Sequence, residues 1–222
     1  MVMAREIAAA DAAVLFELLS DPIVVEHVSS PPPSISAFEG FIRWAHAERA
    51  AGRSVCFGIV PEGLDAAVGI IQLRALDPDW FNAEWGFAIA SAFWSTGVFI
   101  EAANLVAEFA FTTLNVHRIE ARSVEQNARG QAALQKLGAR AEAVLARGFR
   151  KGGRIDRQLL WTLTEADWRQ HPLIPDRISV GQARARIADA IASAANAFRH
   201  ERRDAGDVMS FPFFLTQSDP ES

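Results

Sequence analysis

The residues best placed to do chemistry gather in one stretch, Phe93-Trp94-Ser95-Thr96-Gly97-Val98-Phe99-Ile100-Glu101-Ala102. An apolar run of strand length, Ala83 to Ala90, precedes it. A helical pattern follows. Phe99, Ala102, Ala103, Val106, Ala110 and Thr113 recur at intervals of three and four, which puts them on one helix face. The stretch reads as a strand-to-helix junction with Gly97 in its turn. Such a junction aims free backbone N–H groups and the positive end of a helix dipole at one point, which suits a phosphate. An ordinary tight turn before a helix fits the same residues. Other reactive types are sparse. The single cysteine, Cys56, reads as a buried strand residue rather than a nucleophile. His27, His46, His117, His171 and His200 are scattered without metal-ligand spacing, and no metal site is expected.

The elements that must position this junction follow from the rest of the chain. Its 222 residues are 50% hydrophobic, enough for one substantial core, or one domain with an appendage. The net charge of -5 argues against non-specific nucleic-acid binding and tolerates a cationic amine. One cysteine allows no intramolecular disulfide and suits a reducing compartment. No apolar run is long enough to span a membrane, and a soluble cytoplasmic protein is expected, with neither a nucleic-acid nor a membrane partner. Asp11 can cap a helix from about Ala12 to Ser20, which Asp21-Pro22 stops. Pro31-Pro32-Pro33 is a stiff spacer. Ser36-x-x-Glu39 reads as a capping box for a second helix, which Gly52 ends. Ser54 to Val60 and Ala67 to Leu76 form a hairpin, and Trp80 to Ile89 leads into the junction. The helix after it runs to about Leu114. His117 to Val124 is a strand, Asn127 opens a short helix that Gly138 closes, and Ala139 to Arg147 with Ile155 to Leu163 flank a turn at Lys151-Gly152-Gly153.

Taken together, Glu84-Trp85-Gly86-Phe87, then Phe93 to Gly97 and Glu101-Ala102, then His117-Arg118-Ile119-Glu120-Ala121, Asn127 and Lys136-Leu137-Gly138, resemble the GNAT N-acetyltransferases. The likeness is to the ribosomal-protein N-terminal acetyltransferase branch, the RimJ/RimL type, and covers roughly Arg5 to Trp168. It implies an α/β fold with a mixed central sheet flanked by helices, in the order β-α-α-β-β-β-α-β-α-β-β. It implies a GNAT domain over 1–168, with 169–222 as an extension. It also implies acetyl-CoA as co-substrate and a small-molecule or peptide amine as acceptor. The family pattern at the turn is Gln/Arg-x-x-Gly-x-Gly/Ala. Gly97 supplies its central glycine and Trp94 its first position, while Phe99 departs from the Gly or Ala that ends it. Ser95, Gly130 and Ala139 are further departures, which bear on activity more than on fold.

The resemblance also implies site residues. Backbone N–H groups from Ser95, Thr96, Gly97, Val98 and Phe99 would hold the pyrophosphate, with Trp94 also among the cofactor-binding residues. The strand backbone at Phe87, Ala88 and Ile89 would pair with the pantetheine arm. Asn127 would contact that arm or serve as a plain N-cap. Acyl transfer to an amine needs the neutral amine, so a carboxylate base is expected. Glu84, on a strand face with Gly86 and Ala88, is the candidate, and a structurally paired Glu fits equally. The chain has no Tyr to protonate the leaving thiolate, which leaves water or Ser123. A non-catalytic GNAT-fold binding protein is the competing reading. In the extension, Ala183, Ile187, Ile191, Ala194 and Phe198 form a helical stripe within a helix at about 180–202, and Phe211 to Leu215 is an apolar patch. Both need a docking surface, and a homodimer formed through the extension is expected.

Overall fold

A computed structural model describes residues 1–171. Seven strands form one sheet in the order β1-β2-β3-β4-β5-β7-β6. They are β1 (Val2–Glu6), β2 (Ser54–Pro61), β3 (Gly69–Ala75), β4 (Asn82–Ile89), β5 (Arg118–Val124), β6 (Arg140–Lys151) and β7 (Arg154–Thr164). Neighbours run antiparallel except β4 and β5, which are parallel. A parallel pair needs a crossover, supplied here by helix α4 (Val98–Thr112). The parallel pairing covers only Asn82 to Glu84 against Arg118 to Glu120. Beyond Glu84 the two strands part, and the β5 side of β4 from Trp85 to Ile89 has no ladder partner among the described residues.

The other helices are α1 (Ala12–Leu19), α2 (Pro22–Val25), α3 (Ile35–Ala50), α5 (Ala128–Lys136) and α6 (Glu165–Arg169). Cross-strand register places Phe57, Ile71 and Phe87 on one face of the sheet. Helix α4 covers that face. Phe109 meets Phe57 at a ring separation of 5.5 Å, and Phe99 meets Phe87 at 4.4 Å. The stripe Ala102, Ala103, Val106 and Ala110 is buried beneath it, so the helical spacing in the sequence marks the core-facing side. Helices α1 and α3 bury Leu15, Leu19, Phe38, Phe41 and Ile42. Each such side chain contributes roughly 1.5–3 kcal/mol of transfer free energy. Helix α6 anchors to α4, where Trp168 Nε1 donates to Asn104 Oδ1 at 2.7 Å and its ring packs on Phe111.

Local details differ from expectation in four places. Asp11 does not cap α1 through its side chain. Its fully buried carboxylate takes a two-pronged bond from Arg5, 2.7 Å on each oxygen, and accepts from the Ala8 and Ala67 N–H groups. A charge-assisted network across three segments outcompetes a local cap. The cap of α3 is Ser34, which accepts from Ala37 N–H, so the helix starts ahead of the Ser36-x-x-Glu39 box. Asp21-Pro22 stops α1 but also starts α2, with Asp21 accepting from Ile23 N–H and Pro22 at the first helical position. Strand β1 had no counterpart in the residue pattern, only in the order the resemblance implied. The helix expected at 180–202 and the Phe211 to Leu215 patch lie outside the described residues.

Candidate active site

The junction is built by a left-handed residue. Gly97 has φ +84° and N-caps α4. A residue with a Cβ is disfavoured there. Thr96 buttresses the turn: its hydroxyl donates to Phe93 C=O at 2.7 Å and accepts from Val98 N–H at 3.4 Å. The first intrahelical bond runs from Glu101 N–H to Gly97 C=O. Helix geometry therefore leaves N–H groups of the opening turn without intrahelical acceptors, at the positive end of the dipole.

That turn opens on a cavity of about 730 Å³, within the range of small-molecule sites. Its floor is Phe87, Ala88 and Ile89, where β4 has lost its β5 partner. One wall is the turn itself, with Phe93, Trp94, Ser95, Gly97, Phe99 and Ile100. A second wall is α5, with Asn127, Arg129, Gly130, Ala132, Ala133 and Lys136. The third is α2 and its exit, with Ile23, Val24, His27 and Val28.

Most of the expected binding residues meet here. Phe87, Ala88, Ile89, Trp94, Ser95, Gly97, Phe99 and Asn127 all line the cavity. Thr96 and Val98 do not; both are buried and hold the turn. Phe99, the departure from the family pattern, is largely buried with its ring turned against Phe87. Trp94 donates from its indole N–H to Ile89 C=O at 3.1 Å, satisfying a carbonyl of the unpaired strand end. The Arg129 guanidinium lies over the same indole, 3.6 Å from its centroid. A guanidinium from α5 is thus held beside the first position of the turn, stacked on Trp94.

Asn127 is a true N-cap and a wall residue at once: its Oδ1 accepts from Gly130 N–H at 2.9 Å. Gly130 explains itself through this cap. A Cβ on it would stand 2.6 Å from Asn127 Nδ2, so a larger residue would push the capping side chain aside.

The two proton-carrier candidates are placed elsewhere. Glu84 is buried, with Oε2 held by Arg74 at 2.5 Å and Oε1 by Arg122 at 2.7 Å. It sits where the β4–β5 pairing ends, four residues before Ala88, roughly 13 Å down an extended strand. It is not part of the cavity wall. Ser123 is buried and accepts from Trp161 N–H at 2.9 Å, also outside the wall. Cys56 is buried, and burial pushes its thiol well up, which removes it as a nucleophile.

Several wall residues escaped the sequence reading. On α5, Arg129, Ala132, Ala133 and Lys136 follow the i, i+3, i+4, i+7 spacing of one helix face, a signal present in the sequence. The α2 residues carried only the Asp-Pro start signature. Among the described residues no cluster of His, Cys, Asp or Glu could hold a metal, and no helix is long and apolar enough to cross a membrane.

Comparison with known proteins decides the family. The family model of the acetyltransferase (GNAT) domain matches residues 2–140. The chain belongs to the GNAT acetyltransferases. Its fold agrees with other members. It is 25% identical over 165 residues to a Bacillus licheniformis protein described as uncharacterized N-acetyltransferase p20, covering 74% of this chain and 93% of that one. It superposes on Mycobacterium smegmatis RimJ in complex with CoA-disulfide with a TM-score of 0.68 at 23% identity, over 85% of this chain and 88% of that one. A ribosomal-protein-S5-alanine acetyltransferase from Vibrio fischeri superposes with a TM-score of 0.65 at 17% identity, over 75% of this chain and 94% of that one. GNAT acetyltransferases use acetyl-CoA. The cavity of this member presents a helix N-terminus, a strand edge and two cationic side chains.

Proposed function

We propose that this GNAT acetyltransferase binds acetyl-CoA in the cavity where β4 and β5 part and transfers its acetyl group to a primary amine. The amine is a protein N-terminus or a small molecule. The observation that carries the reading is the convergence of the Gly97 helix start and the unpaired Phe87 to Ile89 edge on one cavity. In this reading the N–H groups of Ser95, Gly97 and Phe99 hold the pyrophosphate, with Thr96 and Val98 fixing the turn. The β4 backbone orders the pantetheine arm by extending its own ladder, and Asn127 holds the start of the α5 wall. Arg129 and Lys136 face the anionic end. When bound, acetyl-CoA supplies a thioester carbonyl open to attack by a neutral amine. Structural similarity to RimJ and to a ribosomal-protein acetyltransferase supports a protein N-terminus among the acceptors. Residues 1–168 serve as the catalytic domain and 169–222 as an extension that forms a homodimer, in the cytoplasm.

One observation favours a second reading, a GNAT-fold protein that binds acetyl-CoA without turning it over. Glu84 is committed to two arginines, Ser123 to Trp161, and the chain has no tyrosine. Calorimetry with acetyl-CoA followed by thiol release over an amine panel separates the two. Binding with thiol release supports the enzyme. Binding with none on any amine supports the second reading, and absence of binding overturns both.

A further inference from the structure

We propose that His27 is the group that takes the proton from the incoming amine, because among the described residues it is the one imidazole in the cavity wall and its ring nitrogens make no hydrogen bond. The proposal rests on the acetyltransferase reading above. The polar side chains lining the cavity are His27, Ser95, Asn127, Arg129 and Lys136. Arginine and lysine arrive protonated, asparagine caps α5, and a serine hydroxyl is too weak a base. An imidazole is the side chain that accepts a proton near neutral pH.

The surroundings of His27 mark it as unlike the other described histidines. His46 donates to Ile7 C=O at 2.7 Å, His171 donates to Asp167 C=O at 2.8 Å, and His117 stacks on Phe81 with 4.8 Å between rings. Each has a structural job. His27 has none: neither ring nitrogen has a hydrogen-bond partner among the described residues. Nδ1 is buried and unpaired, a costly arrangement for a polar atom. Nε2 lies 3.8 Å from Glu26 Oε2, beyond hydrogen-bond reach but close enough to stabilise an imidazolium once formed. The backbone that carries the ring is held rigidly. Lys151, at the end of β6, donates to the carbonyls of Val25 and Val28 on either side of it. Burial, and secondarily Arg154, lower the affinity of Lys151 for its own proton. Asp21, which opens α2, is engaged with Ile23 N–H and the Ser91 hydroxyl. Across the cavity stand Arg129 and Lys136. The charged groups around the imidazole are therefore Glu26 beside it, Lys151 and Arg154 at the hairpin end, and the two α5 cations opposite.

The proton balance closes without another reactant. The ammonium form of the acceptor gives one proton to His27 Nε2. Its nitrogen lone pair then forms the N–C bond to the thioester carbonyl as the C–S bond breaks. The second nitrogen proton goes, through water, to the departing thiolate. The His27 proton returns to solvent past Glu26, which is exposed. The overall change is ammonium plus thioester to amide, thiol and one released proton.

The test is His27→Gln and His27→Ala in the full chain, with spermidine and a short peptide beginning with alanine as acceptors. Calorimetry measures acetyl-CoA affinity, and thiol release measures kcat/KM from pH 6 to 9.5. Expected for His27→Gln is acetyl-CoA affinity within about threefold of wild type and kcat/KM lower by about 100-fold or more near pH 7. The deficit should narrow as pH rises and the free amine becomes abundant. Added imidazole should restore part of the rate to His27→Ala, which a merely structural role would not allow. A rate within about threefold of wild type with the same acid limb overturns the assignment, as does loss of acetyl-CoA affinity with no imidazole rescue. A wild type that binds no acetyl-CoA fails the acetyltransferase reading itself, a result distinct from an indifferent His27→Gln in an active enzyme.

Discussion

At the scale of single residues, one glycine shapes the turn of the site and one buried glutamate is held between two arginines. Gly97 holds φ +84° at the cap of α4. Gly97→Val should lower acetyl-CoA affinity about tenfold or more, a change of about 1.4 kcal/mol in binding. It should also lower stability by about 1–3 kcal/mol, because a β-branched residue is strained in that conformation. Calorimetry and thermal melting read the two effects separately. Unchanged affinity would remove the turn from the binding site. Glu84 sits between Arg74 and Arg122 with almost no exposure of its own. Glu84→Gln removes the carboxylate charge that both guanidinium groups face. The expected outcome is a loss of about 3 kcal/mol in urea unfolding, the low end for a broken buried pair because Arg74 is partly solvated. Acetyl-CoA affinity should stay within about twofold, well under the 1.4 kcal/mol of a tenfold change. A variant as stable as wild type but slower in turnover would return Glu84 to the chemistry.

At the scale of elements, α5 is short and carries more of the cavity than its length suggests. Nine residues are marginal as an isolated helix, so its start must be fixed by tertiary contacts and by the Asn127 cap. Asn127→Ala should cost about 1 kcal/mol of stability and weaken acetyl-CoA binding modestly through a looser wall. Gly130→Ser should act in the same direction, since its Cβ displaces the Asn127 side chain. Melting temperatures and affinities for both variants check this, and an unperturbed Gly130→Ser would show that the cap relaxes at no cost. Arg129 is the cation of this element that stacks on Trp94. Its removal in Arg129→Ala should weaken acetyl-CoA binding and flatten the dependence of affinity on salt, because a charge contact to an anion is lost. Calorimetry at two ionic strengths decides it.

At the scale of the whole molecule, charge and assembly matter. The chain is acidic overall at -5, while the α5 wall of the cavity is cationic. The long-range field thus favours an amine cation, and the local field favours the phosphates of the co-substrate. The proposed homodimer belongs to this scale too. Light scattering of the full chain at micromolar concentration should return twice the 24.3 kDa chain mass. A value of one chain mass would end the exchange of extensions, which would then have to cover their own domain.

Sequence alone determined the elements whose cause is local. Period-two and period-3.6 apolar spacing follow from backbone geometry, so β2 to β5, α3, α4 and α5 were legible within a few residues. Gly97, Gly52 and Gly138 were legible because only a residue without Cβ sits easily at their positive φ. The family motifs carried the floor and the turn of the cavity, since both are backbone features of one contiguous stretch. The tertiary structure decided whatever depends on which segments meet. Asp11 looked like a cap until Arg5 of β1 and the Ala67 N–H, in the loop ahead of β3, were found to claim its carboxylate. Glu84 fitted either a base or a structurally paired carboxylate, and the assembled sheet brings an arginine to it from each of β3 and β5. His27 looked like one of five scattered histidines, and only the closing of α2 over the gap between β4 and β5 placed it in the cavity wall. Periodicity records what one segment does with its own faces. The protonation and partners of a side chain are set by groups far away in the chain, and those arrive only when the sheet is assembled.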